Sequence, residues 1–305
     1  MKNCILLLCF TLLGKFVLAQ EFELFSVKTA YYSPQKIKDS TVDGEIGFKE
    51  LGIQFTIPQI FNNYNTILSH TFQYAYLVSD TKLNINDVFK ENSPSFHTIG
   101  YKLNLNQKIN DKWRLNIGLA PTLASDFQEG LSKDDFLMQA NAIAMRVKNR
   151  NFNYGFGLAF TTRFGRKLLF PIAVLNHKTT KRTLKIVFPN QFYLMYKTIS
   201  KNFYYGFNAQ LNGALFNNHN DNALVNNVID KVGYSRLNLG AAIELRLKGV
   251  MYLRTSGGLS MARKLELIDG KNEVIDRTPK NGPFFNLGIV FYPQRKVKKT
   301  TEESR

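Results

Sequence analysis

Polar or small side chains, charged ones among them, alternate with apolar ones in several stretches of this 305-residue chain. A strand points successive side chains to opposite faces. Read as strands, these stretches collect Lys28, Glu50, Lys102, Arg114, Arg163, Arg236, Glu244, Arg246 and Arg254 on one face. Two kinds of chemistry suit such a set. The charges can pair into a network that ties strands together, or they can line an aqueous path. Arginine fits both, because its planar fork meets a carboxylate or phosphate at two points. If the charges pair, Glu244 opposed by Arg236, Arg246 and Arg254 forms the centre.

Groups for covalent chemistry are sparse. The histidines are His70, His97, His177 and His219, and none lies in a serine–glycine motif of the kind a serine–histidine lipid hydrolase would need. Asn218-His219-Asn220-Asp221 offers one imidazole among amides, which is poor metal-ligand spacing. Gly157 and Gly165 belong to a strand pattern and not to a phosphate loop, since no βα unit surrounds them. No catalytic residue, metal ligand or cofactor is assigned.

The positioning elements are clearest over residues 236–247. There Leu237, Leu239, Ala241, Ile243, Leu245 and Leu247 alternate with Arg236, Asn238, Gly240, Ala242, Glu244 and Arg246. A helix would scatter these leucines round its surface. The same unit recurs along the chain. Ile99, Tyr101, Leu103 and Leu105 precede an Asn110-Asp111-Lys112 turn, and Trp113, Leu115, Ile117 and Leu119 follow it. A change of phase near Ile143 predicts a bulge, and 80–94 reads as a loop with room for a helical turn.

Short connections at 62–65, 110–112, 149–151, 180–182, 200–202 and 248–249 alternate with others, several of them long: 33–44, 80–94, 125–135, 217–230 and 269–282. Membrane barrels have this asymmetry. The alternation stays in phase if Pro189-Asn190 is itself a turn. The reading is therefore all-β: an antiparallel up-and-down transmembrane β-barrel of about 14 strands over 20–293, with 12 as the fallback. Trp113, Phe152 and Phe203 each follow a short turn and read as part of an interfacial aromatic girdle.

Compartment follows from the ends. Residues 1–19 combine Lys2, an apolar run over 5–13 and Ala19, the pattern of a secretory signal peptide with cleavage expected before Gln20. Cys4 and Cys9 both lie inside it, so the mature chain has no disulfide and no thiolate chemistry. Removing Lys2 and Lys15 lowers the formal charge of +17 by two, to +15. Export argues against nucleic acid as the partner of that charge and points to anionic headgroups or an anion-favouring pore, and a basic but functionally silent surface accounts for it equally well. Residues 294–305 read as a basic, disordered tail.

Residues 154–178, YGFGLAFTTRFGRKLLFPIAVLNHK, and 232–265, VGYSRLNLGAAIELRLKGVMYLRTSGGLSMARKLEL, resemble an uncharacterised family of Bacteroidota outer-membrane β-barrels, a domain of unknown function. Phe-Gly-Arg at 164–166, Pro189 and Tyr-Ser-Arg at 234–236 carry the likeness. The resemblance covers most of the mature chain and implies location and architecture, with no activity attached. The expected setting is the outer membrane of a Gram-negative bacterium, with its lipids, lipopolysaccharide and barrel-assembly machinery as partners. The leading expectation is a channel or transporter for small solutes, not an enzyme. A closed structural or partner-binding barrel is the second reading, and a lipid-modifying enzyme the third.

Overall fold

The alternating stretches fold as sixteen strands in a computed structural model that describes residues 23–39, 43–85, 88–162, 164–200, 202–219 and 229–293. The proposed signal peptide, Arg163, most of the Asn-rich loop and the basic tail lie outside the described residues. In order the strands are β1 (Phe25–Lys36), β2 (Asp43–Phe61), β3 (Thr66–Ile85), β4 (Val88–Asn92), β5 (Ser95–Lys108), β6 (Trp113–Ser125), β7 (Phe136–Asn149) and β8 (Phe152–Thr161). There follow β9 (Leu168–Lys178), β10 (Arg182–Phe188), β11 (Gln191–Lys197), β12 (Phe203–Asn217), β13 (Ile229–Lys248), β14 (Met251–Asp269), β15 (Val274–Asp276) and β16 (Gly282–Phe291).

Apart from β4 and β15, each strand pairs antiparallel with the next, and the sheet closes where β1 lies along β16 from Phe25↔Phe291 to Tyr32↔Phe284. Strands β4 and β15 are short flaps, on β3 and β14 respectively. Without them the wall is a closed barrel of 14 antiparallel strands. Pro189-Asn190 is the tight β10–β11 turn that the even count requires.

Local chemistry sets the short turns. The side chain of Asn110 accepts hydrogen bonds from the backbone of Lys112 and Trp113, both at 2.9 Å, and Asn149 does the same for Asn151. These side chains supply acceptors that the hairpin ends would otherwise lack. Gly249 takes a positive φ in the β13–β14 turn. The β3–β5 connection departs from expectation. It holds the β4 hairpin, because the β ladder simply continues from Thr81↔Asn92 to Ile85↔Val88.

The predicted bulge at Ile143 is also corrected. Strand β7 pairs with β6 without interruption from Trp113↔Arg146 to Leu123↔Phe136, and its only shift against β8 lies between Val147 and Asn149. The apparent change of phase is a change in what faces inward: Ile143 and Met145 keep register and present apolar side chains to the lumen. A true bulge occurs unannounced on β14, where Ala262 has a positive φ. Beyond it the alternation reverses, so Arg263, Leu265 and Leu267 turn in and are buried.

Outward, large apolar side chains stand exposed all round the wall, from Ile53 and Phe72 through Ile99, Leu119, Phe156 and Phe188 to Phe207, Ile243 and Phe285. Such a band is what a barrel offers to hydrocarbon. Inward, the long-loop end holds a packed apolar core built from Tyr32, Ile46, Phe48, Phe96, Leu215, Phe216, Val232, Tyr234, Leu265 and Leu267.

Candidate functional site in the barrel lumen

The lumen has two unlike halves. At the long-loop end opposite walls touch. Ser125 at the end of β6 bridges to Asn217 at the end of β12, a parallel contact between strands that are not neighbours round the barrel. Beneath it Phe96 of β5 stacks on Phe216 of β12 with ring centroids 4.9 Å apart, and Phe48 of β2 stacks on Tyr234 of β13 at 4.3 Å. The β8–β9 loop folds in as well. A Cβ on Gly233 would lie 2.6 Å from the carbonyl oxygen of Gly165, and Gly165 itself has φ +76°. Both positions therefore need glycine. Arg166 of the same loop pairs with Glu266 of β14 at 2.7 Å. The Phe-Gly-Arg and Tyr-Ser-Arg segments, 70 residues apart in the chain, meet here.

Just inside this seal Arg236 is buried and pairs with Glu50. Its guanidinium lies 4.3 Å from the ring centre of Tyr32 and 4.8 Å from that of Tyr234. Flat cations favour such aromatic faces. Arg263, missed by the alternation rule, is fully buried nearby and donates to the Ser33 carbonyl at 3.2 Å.

The short-turn half holds a second charge cluster. Arg254 donates to Glu23 at 2.6 Å and to Glu244 at 3.2 Å, and also meets the Tyr292 hydroxyl. Tyr193 donates to Glu244 at 3.1 Å, and Lys28 reaches Glu23 at 2.5 Å. The expected single centre round Glu244 is thus two clusters. Arg254 joins it, Arg236 belongs with Glu50, and Arg246 stands exposed at the β13–β14 turn, donating to the Gly249 carbonyl. Arg114 caps another turn, donating to Asn106 at 2.6 Å and to the Tyr64 carbonyl at 3.2 Å. Lys102 sits inward opposite Thr71. Glu23, Tyr193 and Tyr292 were not foreseen; an acidic residue just before the first strand was the one available signal for Glu23.

Trp113, Phe152 and Phe203, expected in an interfacial girdle, are the first residues of β6, β8 and β12, on the same strand faces as exposed Ile117, Phe156 and Phe207. Trp113 is exposed beneath Arg146, 5.7 Å from the ring centre, and Phe152 and Phe203 pack on Tyr154 and Tyr205. Trp113 is the sole tryptophan of the chain, so its fluorescence reports one depth. In lipid vesicles, quenchers at headgroup level are expected to reduce it more than quenchers at the bilayer centre. The reverse order would remove Trp113 from the interface.

At the long-loop rim His219 is held by Asp126, with ring nitrogen to carboxylate at 3.0 Å and backbone nitrogen to the other oxygen at 3.0 Å. Asn217 bridges this pair to Asp135 at 2.9 Å. The Asp126 hydrogen bond raises the His219 pKa above its ordinary 6.5, against a smaller opposing effect of burial. A raised folded-state value means that the tether is at full strength below the unfolded value and is lost as pH rises through the folded one. Protease cleavage near His219 is therefore expected to increase as pH rises above that range. Asp126→Asn should bring the titration midpoint, read by NMR, back toward 6.5; an unchanged midpoint would contradict the pairing.

Several solved structures align with most of the chain at low similarity. The NanC porin is 10% identical over 88% of this chain and 98% of its own, with TM-score 0.39. A deltaS2 mutant of the TodX monoaromatic hydrocarbon channel is 9% identical over 90% of each chain, with TM-score 0.41. Outer membrane phospholipase A from Escherichia coli is 8% identical over 92% of this chain and 95% of its own, with TM-score 0.34. No solute or reaction passes from them to this chain. No curated protein matches it. A family model does, across residues 17–293, a span that takes in the whole barrel and both lumen clusters. The chain belongs to the family described as "Domain of unknown function (DUF6268)".

Proposed function

We propose that the chain works in the outer membrane of a Gram-negative, Bacteroidota-type cell as a solute-handling barrel that is shut as folded. Its lumen is entered from the short-turn, periplasmic side and sealed on the long-loop side. Passage of a small solute then requires the β8–β9 loop to withdraw. The barrel-assembly machinery inserts it, and outer-membrane lipid and lipopolysaccharide surround it. The observation that carries this reading is the wall-to-wall contact of Ser125 with Asn217 over the Phe96–Phe216 and Phe48–Tyr234 stacks. Support for entry from the other end comes from exposure: Lys28 keeps 36% of its side chain accessible and Arg254 25%, against 4% for Arg236 at the seal.

The apolar core also favours a second reading, a permanently closed barrel whose loops bind a partner. Solute flux into liposomes separates the two. The intact protein is expected to conduct little, and deletion of 164–167 is expected to open it. Free conductance by the intact protein would end the shut-barrel reading. Silence of both forms would leave the permanently closed one.

A further inference from the structure

Inward positions of a barrel are ordinarily polar where the lumen is wet. Over part of the four adjacent strands β7 to β10 they are not, Ala159 being the β8 member. Ile172 and Val174 of β9 are buried against half-buried Ile143 and Met145 of β7 and Val187 of β10, in a patch separate from the core that seals the loop end. Strand β10 climbs from the short-turn end, so Lys185 lies on the same face as Val187 and nearer the open mouth. Val187 pairs with Val174, and Lys185 with Asn176 and Tyr193. Lys185 is exposed, and Glu23, Lys28 and Arg254 lie close enough to act on its charge. Among the described residues it makes no hydrogen bond or ion pair.

The charges do not balance. Lys28 and Arg254 are matched by Glu23 and Glu244. Lys185 adds a third cation to this group, so these five side chains carry one net positive charge beside an apolar wall. We propose that this half of the lumen binds a small amphipathic anion. Its single carboxylate head meets Lys185, and its aliphatic tail lies along Ile143, Ile172, Val174 and Val187 toward the sealed end. An ammonium head would be repelled by Lys185 and Arg254, and an alcohol would leave the charge unmatched. The inference rests on the lumen being wet at the short-turn end and shut at the other.

The mature chain has no cysteine, so one can be placed to report on the site. Thr183 lies inward on β10, one strand repeat nearer the mouth than Lys185. Thr183→Cys, folded in zwitterionic nanodiscs and checked by gel mobility before and after boiling, is labelled with methanethiosulfonates of either charge. The anionic reagent is expected to react faster than the cationic one by on the order of tenfold. Hexanoate should slow labelling where hexyltrimethylammonium and hexanol do not, and Lys185→Gln should abolish both the charge preference and the protection. Equal rates with no protection by hexanoate would overturn the anion site and leave the wet-lumen reading standing. Failure of both reagents to label would overturn both.

Discussion

Replacing Glu50 by alanine is expected to destabilise the barrel by about 3–5 kcal/mol, the cost of leaving a buried charge without its partner. Arg236 is the charge in question, 3% exposed between the rings of Tyr32 and Tyr234. The guanidinium cannot shed its proton to escape, and its Nε already lacks a hydrogen-bond partner. Urea unfolding in lipid vesicles, followed by the loss of the fast-migrating folded band, measures the effect. The paired change Glu50→Met with Arg236→Met should recover most of the loss, since apolar isosteres remove the desolvation penalty together with the attraction. A single Glu50→Ala change as mild as the pair would show that water already reaches Arg236, and the seal would have to lie farther out.

Phe216→Ala should cost about 3–5 kcal/mol by the usual measure of an emptied aromatic site. Phe216 is 3% exposed and Phe96, its stacking partner, 2%. The loss has a functional side that an ordinary core truncation lacks, because this ring holds two non-adjacent walls together below the Ser125–Asn217 bridge. Conductance in planar bilayers is expected to rise along with the instability. Adding Phe96→Ala should add less than its own single cost, since both changes empty one contact. A destabilised variant that stays electrically silent would mean that the β8–β9 loop seals the lumen without help from the wall.

Much of the wall was legible in the chain because its causes are local. Period-two alternation over residues 236–247 and its repeats assigns lipid and lumen faces directly. The acceptor side chains of Asn110 and Asn149 announce two hairpin ends, and reading Pro189-Asn190 as a turn gives the correct even count. Two of the misreadings have local causes as well. An apolar lumen at Ile143 looks the same in sequence as a bulge, whereas the real bulge at Ala262 sits in Met-Ala-Arg-Lys, which carries no glycine or proline to mark it.

The lumen is another matter. Alternation determined that Arg236, Glu244 and Arg254 point inward, but not whom they meet. Arg236 finds Glu50 at a separation of 186 residues, and Arg254 finds Glu23 at 231. Such partners share no spacing that a strand pattern could reveal, because which inward side chains face each other depends on the closure and stagger of the whole sheet. An inward arginine also reads alike whether it lines water or joins a pair. The tertiary structure decided the partners, pairing Arg236 with Glu50 between the rings of Tyr32 and Tyr234 and Arg254 with Glu23 and Glu244, and it brought Gly165 onto Gly233 at one end.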